Sequence, residues 1–217
     1  MSAGFVINLG LPKTGTTTLS RALRRSGLKV ADWRVRPAQT DNEAHHNQLV
    51  GELVYKGYFE TGDPLAEFSD FGAITEMSAI VPGHNFWPQT DWGVLRAIMD
   101  QHPDARFLLS ARDPEKTAES MLRWNSLGKR RLPRQYVPGL PFGYGKTVPE
   151  IQRWIEGHYA FCRHVFAGTD KLLEFNVADV DAPEKISAFL GRDLPWWGRA
   201  NTNAAEQDAT DAMTQEA

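Results

Sequence analysis

The chain opens on a junction that leaves few folds available. Phe5-Val6-Ile7-Asn8-Leu9 is short, apolar and closed by Gly10, the pattern of a buried strand. Residues 10–16 follow as a loop rich in Gly, Pro and Thr. Residues 17–26 then carry Leu19, Ala22 and Leu23 on one helical face, with Gly27 as the stop. A buried strand that passes through a glycine loop into a helix is the first part of a β–α–β unit. Such units build parallel sheets with helices on the faces.

The rest of the chain repeats the alternation. Strands are expected at 28–31, 71–75, 106–110 and 171–175, and helices at about 42–59, 91–102, 113–127, 148–167 and 182–190. Gly51 and Gly57 weaken the helical signal in the first of these helices. Asp91 and Asp113 are N-cap residues, and Pro114 suits a first helical turn. The stretch 77–90 holds two prolines and a glycine and reads as a loop. Residues 128–149, with four prolines and four glycines, read as a long loop of the kind that forms lids or binding segments. With 217 residues, 41% of them hydrophobic, there is material for one sizeable core. The expected fold is α/β: a single three-layer domain over residues 1–203, its parallel sheet covered by helices on both faces. Residues 204–217 are polar, acidic and Ala-rich, and read as a flexible tail. No internal repeat is visible.

Charge and cysteine content exclude some functions. The net charge of −3 argues against a general nucleic-acid binder. The exception is local: Lys129-Arg130-Arg131 with Arg134, either a solvated face or an attraction for an anionic ligand. Cys162 is the single cysteine, so no intrachain disulfide and no cysteine-based metal site can form, and it reads as a small buried hydrophobe. The six histidines show no HExxH or comparable ligand spacing, so no metal is expected. The apolar runs fall well short of the ~20 residues of a membrane span, and no signal-peptide pattern stands at the start, so a cytoplasmic protein is expected.

The loop Gly10-Leu11-Pro12-Lys13-Thr14-Gly15-Thr16-Thr17-Thr18 is built for an anion. Its glycines let the backbone curl, and the N–H groups at the helix start then point at the bound charge, with the helix dipole adding attraction. The spacing of Gly10 and Gly15 matches a Walker A loop, but that loop needs Lys directly after the second glycine. Here Thr16 stands there, and the lysine lies inside the loop at position 13. A phosphate-like anion fits; the usual kinase machinery does not.

Pro12-Lys13-Thr14-Gly15-Thr16-Thr17 resembles the 5′-phosphosulfate loop of sulfotransferases that use 3′-phosphoadenosine 5′-phosphosulfate (PAPS). The resemblance implies a P-loop nucleotide-kinase-like fold. It also implies that Lys13 contacts the phosphosulfate while Pro12, Thr14, Gly15, Thr16, Thr17 and Thr18 belong to the 5′-phosphate loop. A second motif supports it. Phe107-Leu108-Leu109-Ser110-Ala111-Arg112-Asp113-Pro114 runs on to Ser120, eight residues after the arginine. In the family such a pair forms the 3′-phosphate site, and a guanidinium fork with a neutral hydroxyl suits a phosphate monoester. The likeness continues through His102-Pro103-Asp104-Ala105-Arg106 and, more weakly, Leu172-Leu173-Glu174-Phe175-Asn176, Phe189-Leu190-Gly191, Leu194-Pro195 and Asn201. The chain departs from it at Thr18, at Met77 after Glu76, and in an extra segment at 82–89, all bearing on the acceptor side more than the donor side.

The resemblance implies sulfuryl transfer by in-line displacement to a hydroxyl or amine, releasing 3′,5′-adenosine bisphosphate (PAP), with no metal required. The acceptor is expected to be a small molecule; carbohydrate, lipid and phenolic metabolite remain open, as does oligomeric state. A base must take the acceptor's proton. Glu76, at a strand end, matches the family's position for it; Asp91 and His84 are its rivals. Trp124, Tyr136, Phe142, Tyr144, Trp196 and Trp197 are aromatic candidates for pocket linings, though packing roles are commoner for such residues. Two other classes stay in view: a Walker-type kinase or NTPase dependent on Mg²⁺, and a non-catalytic nucleotide-binding protein. Keeping Lys13, Arg112 and Ser120 together argues against the second.

Overall fold

The computed structural model describes residues 4–124 and 127–198. Five strands form one parallel sheet: β1 (Val6–Asn8), β2 (Val30–Ala31), β3 (Ala73–Ile74), β6 (Arg106–Ser110) and β7 (Leu172–Phe175). Their order is β2-β3-β1-β6-β7. Between β3 and β6 in sequence lies an antiparallel hairpin, β4 (Ala79–Val81) and β5 (His84–Phe86). The helices are α1 (Thr16–Arg25), α2 (Val50–Thr61), α3 (Trp92–Gln101), α4 (Pro114–Arg123), α5 (Val148–Val165) and α6 (Ala182–Leu190).

Alternation along the strands sends side chains to two cores. Val6 and Leu108 pack with Leu19 and Leu23 of α1 and Ala182 and Ile186 of α6. Ile7, Phe107 and Leu109 pack on the other face with α2, α3, α4 and α5. The expected three-layer α/β architecture is therefore present, and each central strand is buried on both sides, as parallel sheets require.

Chain order along the sheet reverses direction at β1, with β3 on one side and β6 on the other. A crevice outside the carboxyl ends at such a switch is where open α/β sheets bind ligands. The loop after β1, Glu76 after β3 and Arg112 after β6 all leave the sheet there.

Three expectations are corrected. Residues 77–90 are not a loop. Pro82 and Gly83, with Gly83 at φ 79°, make the two-residue turn between β4 and β5, and Pro88 opens a short 3₁₀ turn. The prolines mark turns here rather than unstructured chain. The helix expected from about 42 begins at Val50, because residues 43–45 form a separate 3₁₀ turn capped by Asn42. Gly51 is a close-approach glycine: a Cβ there would lie 2.3 Å from Met77 O and 2.8 Å from Phe86 Cβ, so the hairpin seats directly on α2. Finally, α4 ends at Arg123, and residues 127–134 form short π and 3₁₀ turns.

The long segment 128–149 is anchored rather than free. Leu132, Val137 and Leu140 are buried in the larger core. Asn85 Nδ2 donates to Tyr136 O at 2.6 Å, and Trp154 Nε1 donates to Pro138 O at 2.8 Å. Its Tyr136, Phe142 and Tyr144 side chains stay exposed. The expected tail and Asn201 lie outside the described residues.

Candidate functional site

The glycine loop of residues 10–16 is wound tightly between β1 and α1. Lys13 has φ 72° and Gly15 φ 104°. A lysine in the left-handed region is strained, and such strain concentrates at ligand-binding loops. Thr14 is wholly buried; its Oγ1 donates to Leu11 O at 2.7 Å and shares a 2.7 Å hydrogen bond with Ser110 Oγ. The loop is thus locked to the end of β6. Asn8 fixes the strand ends on either side of β1: Nδ2 donates to Thr75 O at 2.9 Å, and Oδ1 accepts from Ser110 N at 3.1 Å.

Helix α5 closes the arrangement from behind, started by a capping box between Thr147 and Glu150. His158 Nε2 donates to Leu9 O at 2.7 Å, which fixes the Nε2–H tautomer. Burial lowers its pKa to about 4, so it packs as a neutral imidazole. Tyr159 OH accepts from Arg112 N at 3.1 Å. One helix thereby holds the exits of both β1 and β6.

Three sequence-predicted residues meet at the crevice. Arg112 Nη1 donates to Lys13 O at 3.1 Å, tying the second motif to the first. Glu76 Oε2 accepts from Thr16 Oγ1 at 2.8 Å, and Oε1 accepts from Ser78 Oγ at 3.2 Å. Lys13 senses both: its pKa is lowered by burial first and by the Arg112 charge next, while Glu76 raises it. Arg123, at the end of α4, adds a further positive charge near Lys13.

Glu76 is partly exposed but is packed closely enough for burial to dominate its ionisation. Loss of hydration pushes its pKa up to about 7, and the nearby Asp32 charge adds to the rise. The hydrogen bonds from Thr16 and Ser78 and the charge of Lys13 oppose it without cancelling it. A carboxylate with this pKa changes protonation near neutrality, as a general base should.

The remaining predicted residues fall around these. Thr16, Thr18 and Ser120 are buried, and Thr18 Oγ1 donates to Gly198 O at 3.1 Å. Pro12 and Thr17 lie in the loop and the first turn of α1. The rival bases are engaged elsewhere. Asp91 Oδ1 caps α3, accepting from Gly93 N and Val94 N, and its other oxygen accepts from Tyr55 OH. His84 Nδ1 lies at the hairpin turn, 4.0 Å from Glu52 Oε2. Of the aromatic candidates, Trp124 stands at the site, with Lys13 Nζ 5.2 Å from its ring centroid. Trp196 stacks under Arg25, and Trp197 packs on Phe175.

Sequence reading missed Asn8, Ser78 and Tyr159, and left Trp124 as one of six aromatic candidates for pocket linings. Trp124 follows Ser120 by four residues, so its place one turn on was available from helical spacing. Asn8 and Tyr159 carried no such signal, because each acts through a contact between elements distant in sequence, whereas Ser78 reaches Glu76 from only two residues away.

Among the described residues, no group of three or more His, Cys, Asp or Glu is placed to hold a metal ion. No helix among them is long and apolar enough to cross a membrane. A family model described as "Sulfotransferase domain" matches residues 5–140. That span takes in both motifs and Glu76. No curated protein matches the chain.

Proposed function

The chain belongs to the sulfotransferase family, and from that premise we propose that it transfers a sulfuryl group from PAPS to a hydroxyl or amine of a small acceptor, releasing PAP. The observation that carries this is the meeting of Lys13, Arg112 and Glu76 outside the carboxyl ends of β1, β6 and β3.

The donor suits the charge balance of the site. Arg112 and Arg123 both act on Lys13 as like charges, with Glu76 as the opposing charge. Such a cluster demands an anion, and a phosphosulfate supplies one at the loop. The N–H groups at the start of α1 would hold the 5′-phosphate. Arg112 and Ser120 would hold the 3′-phosphate, the group that separates PAPS from other adenine nucleotides.

The acceptor oxygen or nitrogen attacks sulfur in line while the bond from sulfur to the bridging phosphate oxygen breaks. Lys13 stabilises the charge arriving on that oxygen, and Glu76 takes the acceptor's proton. The products are the sulfated acceptor and PAP. Positioning and charge stabilisation supply most of the rate, as in phosphoryl transfer.

Calorimetric titration with PAP beside ADP and ATP, each with and without Mg²⁺, tests the donor assignment. Preferential binding of PAP independent of Mg²⁺ is expected. Tight Mg²⁺-dependent ATP binding with no preference for a 3′-phosphate would replace this reading with a kinase.

A further inference from the structure

The basic run 129–131 contributes one residue to the crevice. Arg131 Cζ lies 5.1 Å from the centroid of the Trp124 ring, the same ring that Lys13 Nζ approaches to 5.2 Å. Its Nη1 donates to Ile80 O at 3.1 Å. Ile80 sits on β4, two residues beyond Ser78, whose hydroxyl donates to Glu76. Arg131 therefore spans from the strand beside the base to the aromatic ring beside the sulfuryl-binding lysine.

Among the described residues this guanidinium has no carboxylate counterion, and its Nε is buried with no hydrogen-bond partner. Burial alone lowers its pKa, with no acidic neighbour to offset the loss of hydration. Lys129 and Arg130, its neighbours in the run, are exposed. A half-buried arginine stacked on a ring, with Nη1 on a carbonyl and no carboxylate partner among the described residues, is suited to one planar or tetrahedral oxyanion.

We propose that Arg131 is the specificity residue for an acceptor carrying its own anionic group, a carboxylate or phosphate, held against Trp124 while the acceptor's hydroxyl or amine faces Glu76. The inference rests on the donor and base assignment above. It names the acceptor's class: a small acid rather than a neutral sugar, lipid alcohol or simple phenol. The acid's charge would satisfy Arg131, and the donor's would satisfy Lys13 and Arg112.

Two probes isolate the charge, 4-hydroxybenzoate and 4-hydroxybenzamide. Each is titrated into PAP-saturated protein and followed by ligand-observed NMR, for wild type, Arg131→Gln and Arg131→Lys. Wild type is expected to bind the acid at least about tenfold more tightly than the amide, the scale of a charge-assisted hydrogen bond. Arg131→Gln is expected to erase that preference, with PAP affinity held within about threefold, and Arg131→Lys to keep part of it, because the charge remains and the fork is lost. The proposal is overturned if wild type shows no preference or no binding of the acid. It is equally overturned if the preference survives in Arg131→Gln, or if PAP affinity falls with it, which would assign Arg131 to the donor. Thermal melting confirms that each variant is folded; should Arg131→Gln not fold, Arg131→Lys decides. Failure of wild type to bind PAP is a separate outcome and removes the donor reading itself.

Discussion

Thr16 Oγ1 donates to Glu76 Oε2 across 2.8 Å, so the first residue of α1 grips the carboxylate that follows β3. The bond favours the charged form, burial favours the neutral one, and burial prevails with a pKa of about 7. As the proposed base, Glu76 must be ionised, so kcat/KM is expected to rise with pH through about 7. Glu76→Gln should lower kcat by about a hundredfold or more and remove that limb. Thr16→Val, which deletes one bond to the charged form, should move the limb to higher pH. A limb unchanged in Glu76→Gln would take Glu76 out of the proton transfer.

The same ionisation bears on stability with a definite sign. The folded pKa, about 7, lies above the ordinary value of 4.5, so the folded state holds the proton more tightly than the unfolded chain. The stabilisation from this group is fully present below about 4.5 and is lost as pH rises through about 7. Glu76→Gln cannot ionise. Its stability relative to wild type should therefore improve on the order of 2 kcal/mol between pH 4 and pH 8. Urea denaturation of both proteins at the two pH values measures the difference; a difference independent of pH would contradict the buried, proton-retaining carboxylate.

Arg112 holds the Lys13 carbonyl through Nη1, and the same guanidinium is proposed to hold the 3′-phosphate. Arg112→Ala is expected to weaken PAPS by about 10- to 100-fold, the range of a lost charge-assisted pair. Adenosine 5′-phosphosulfate, which lacks the 3′-phosphate, should lose far less. Equal losses for both nucleotides would mean that Arg112 only braces the loop.

Lys13→Ala separates chemistry from folding. The backbone at position 13 keeps φ near 72° with either side chain, so the strain is not relieved. The substitution also removes a half-buried cation from beside Arg112 and Arg123. Thermal stability should therefore hold, while kcat falls by about a hundredfold or more. Full turnover in a folded Lys13→Ala protein would remove Lys13 from the mechanism.

The alternation of strands and helices was legible because the elements carry local punctuation: Gly10 after β1, Asp91 before α3, Asp113-Pro114 before α4. The two phosphate motifs were legible for the same reason, since each is contiguous in sequence. The hairpin at 79–86 was not, because Pro82 and Gly83 read equally well as coil until two short strands pair across them and Gly51 lets them seat on α2. Arg131 stood out only as part of a charged run. What distinguishes it from Lys129 and Arg130 is a ring from α4's end and a carbonyl from β4, and no local pattern encodes either.

Asn8 gives the sharpest test of how the fold sets the site. It reads as one residue of an apolar strand, yet its amide joins Thr75 O on one side and Ser110 N on the other, all three buried. Thr75 directly precedes Glu76, and Ser110 stands two residues before Arg112. Asn8→Ala leaves a carbonyl and an N–H without partners, at about 1–3 kcal/mol for each buried group left unsatisfied. A loss of about 2–4 kcal/mol in chemical denaturation is expected, allowing for partial relaxation. Asn8→Asp should be worse at neutral pH: it keeps the acceptor for Ser110 N but sets a buried charge against the Thr75 carbonyl. In folded Asn8→Ala protein, kcat should drop while the pH of the acid limb stays near 7, because the burial that sets the Glu76 pKa is retained while the spacing of base and arginine is not. A stability loss under about 1 kcal/mol with unchanged kcat would mean that the strand ends hold their spacing without the amide.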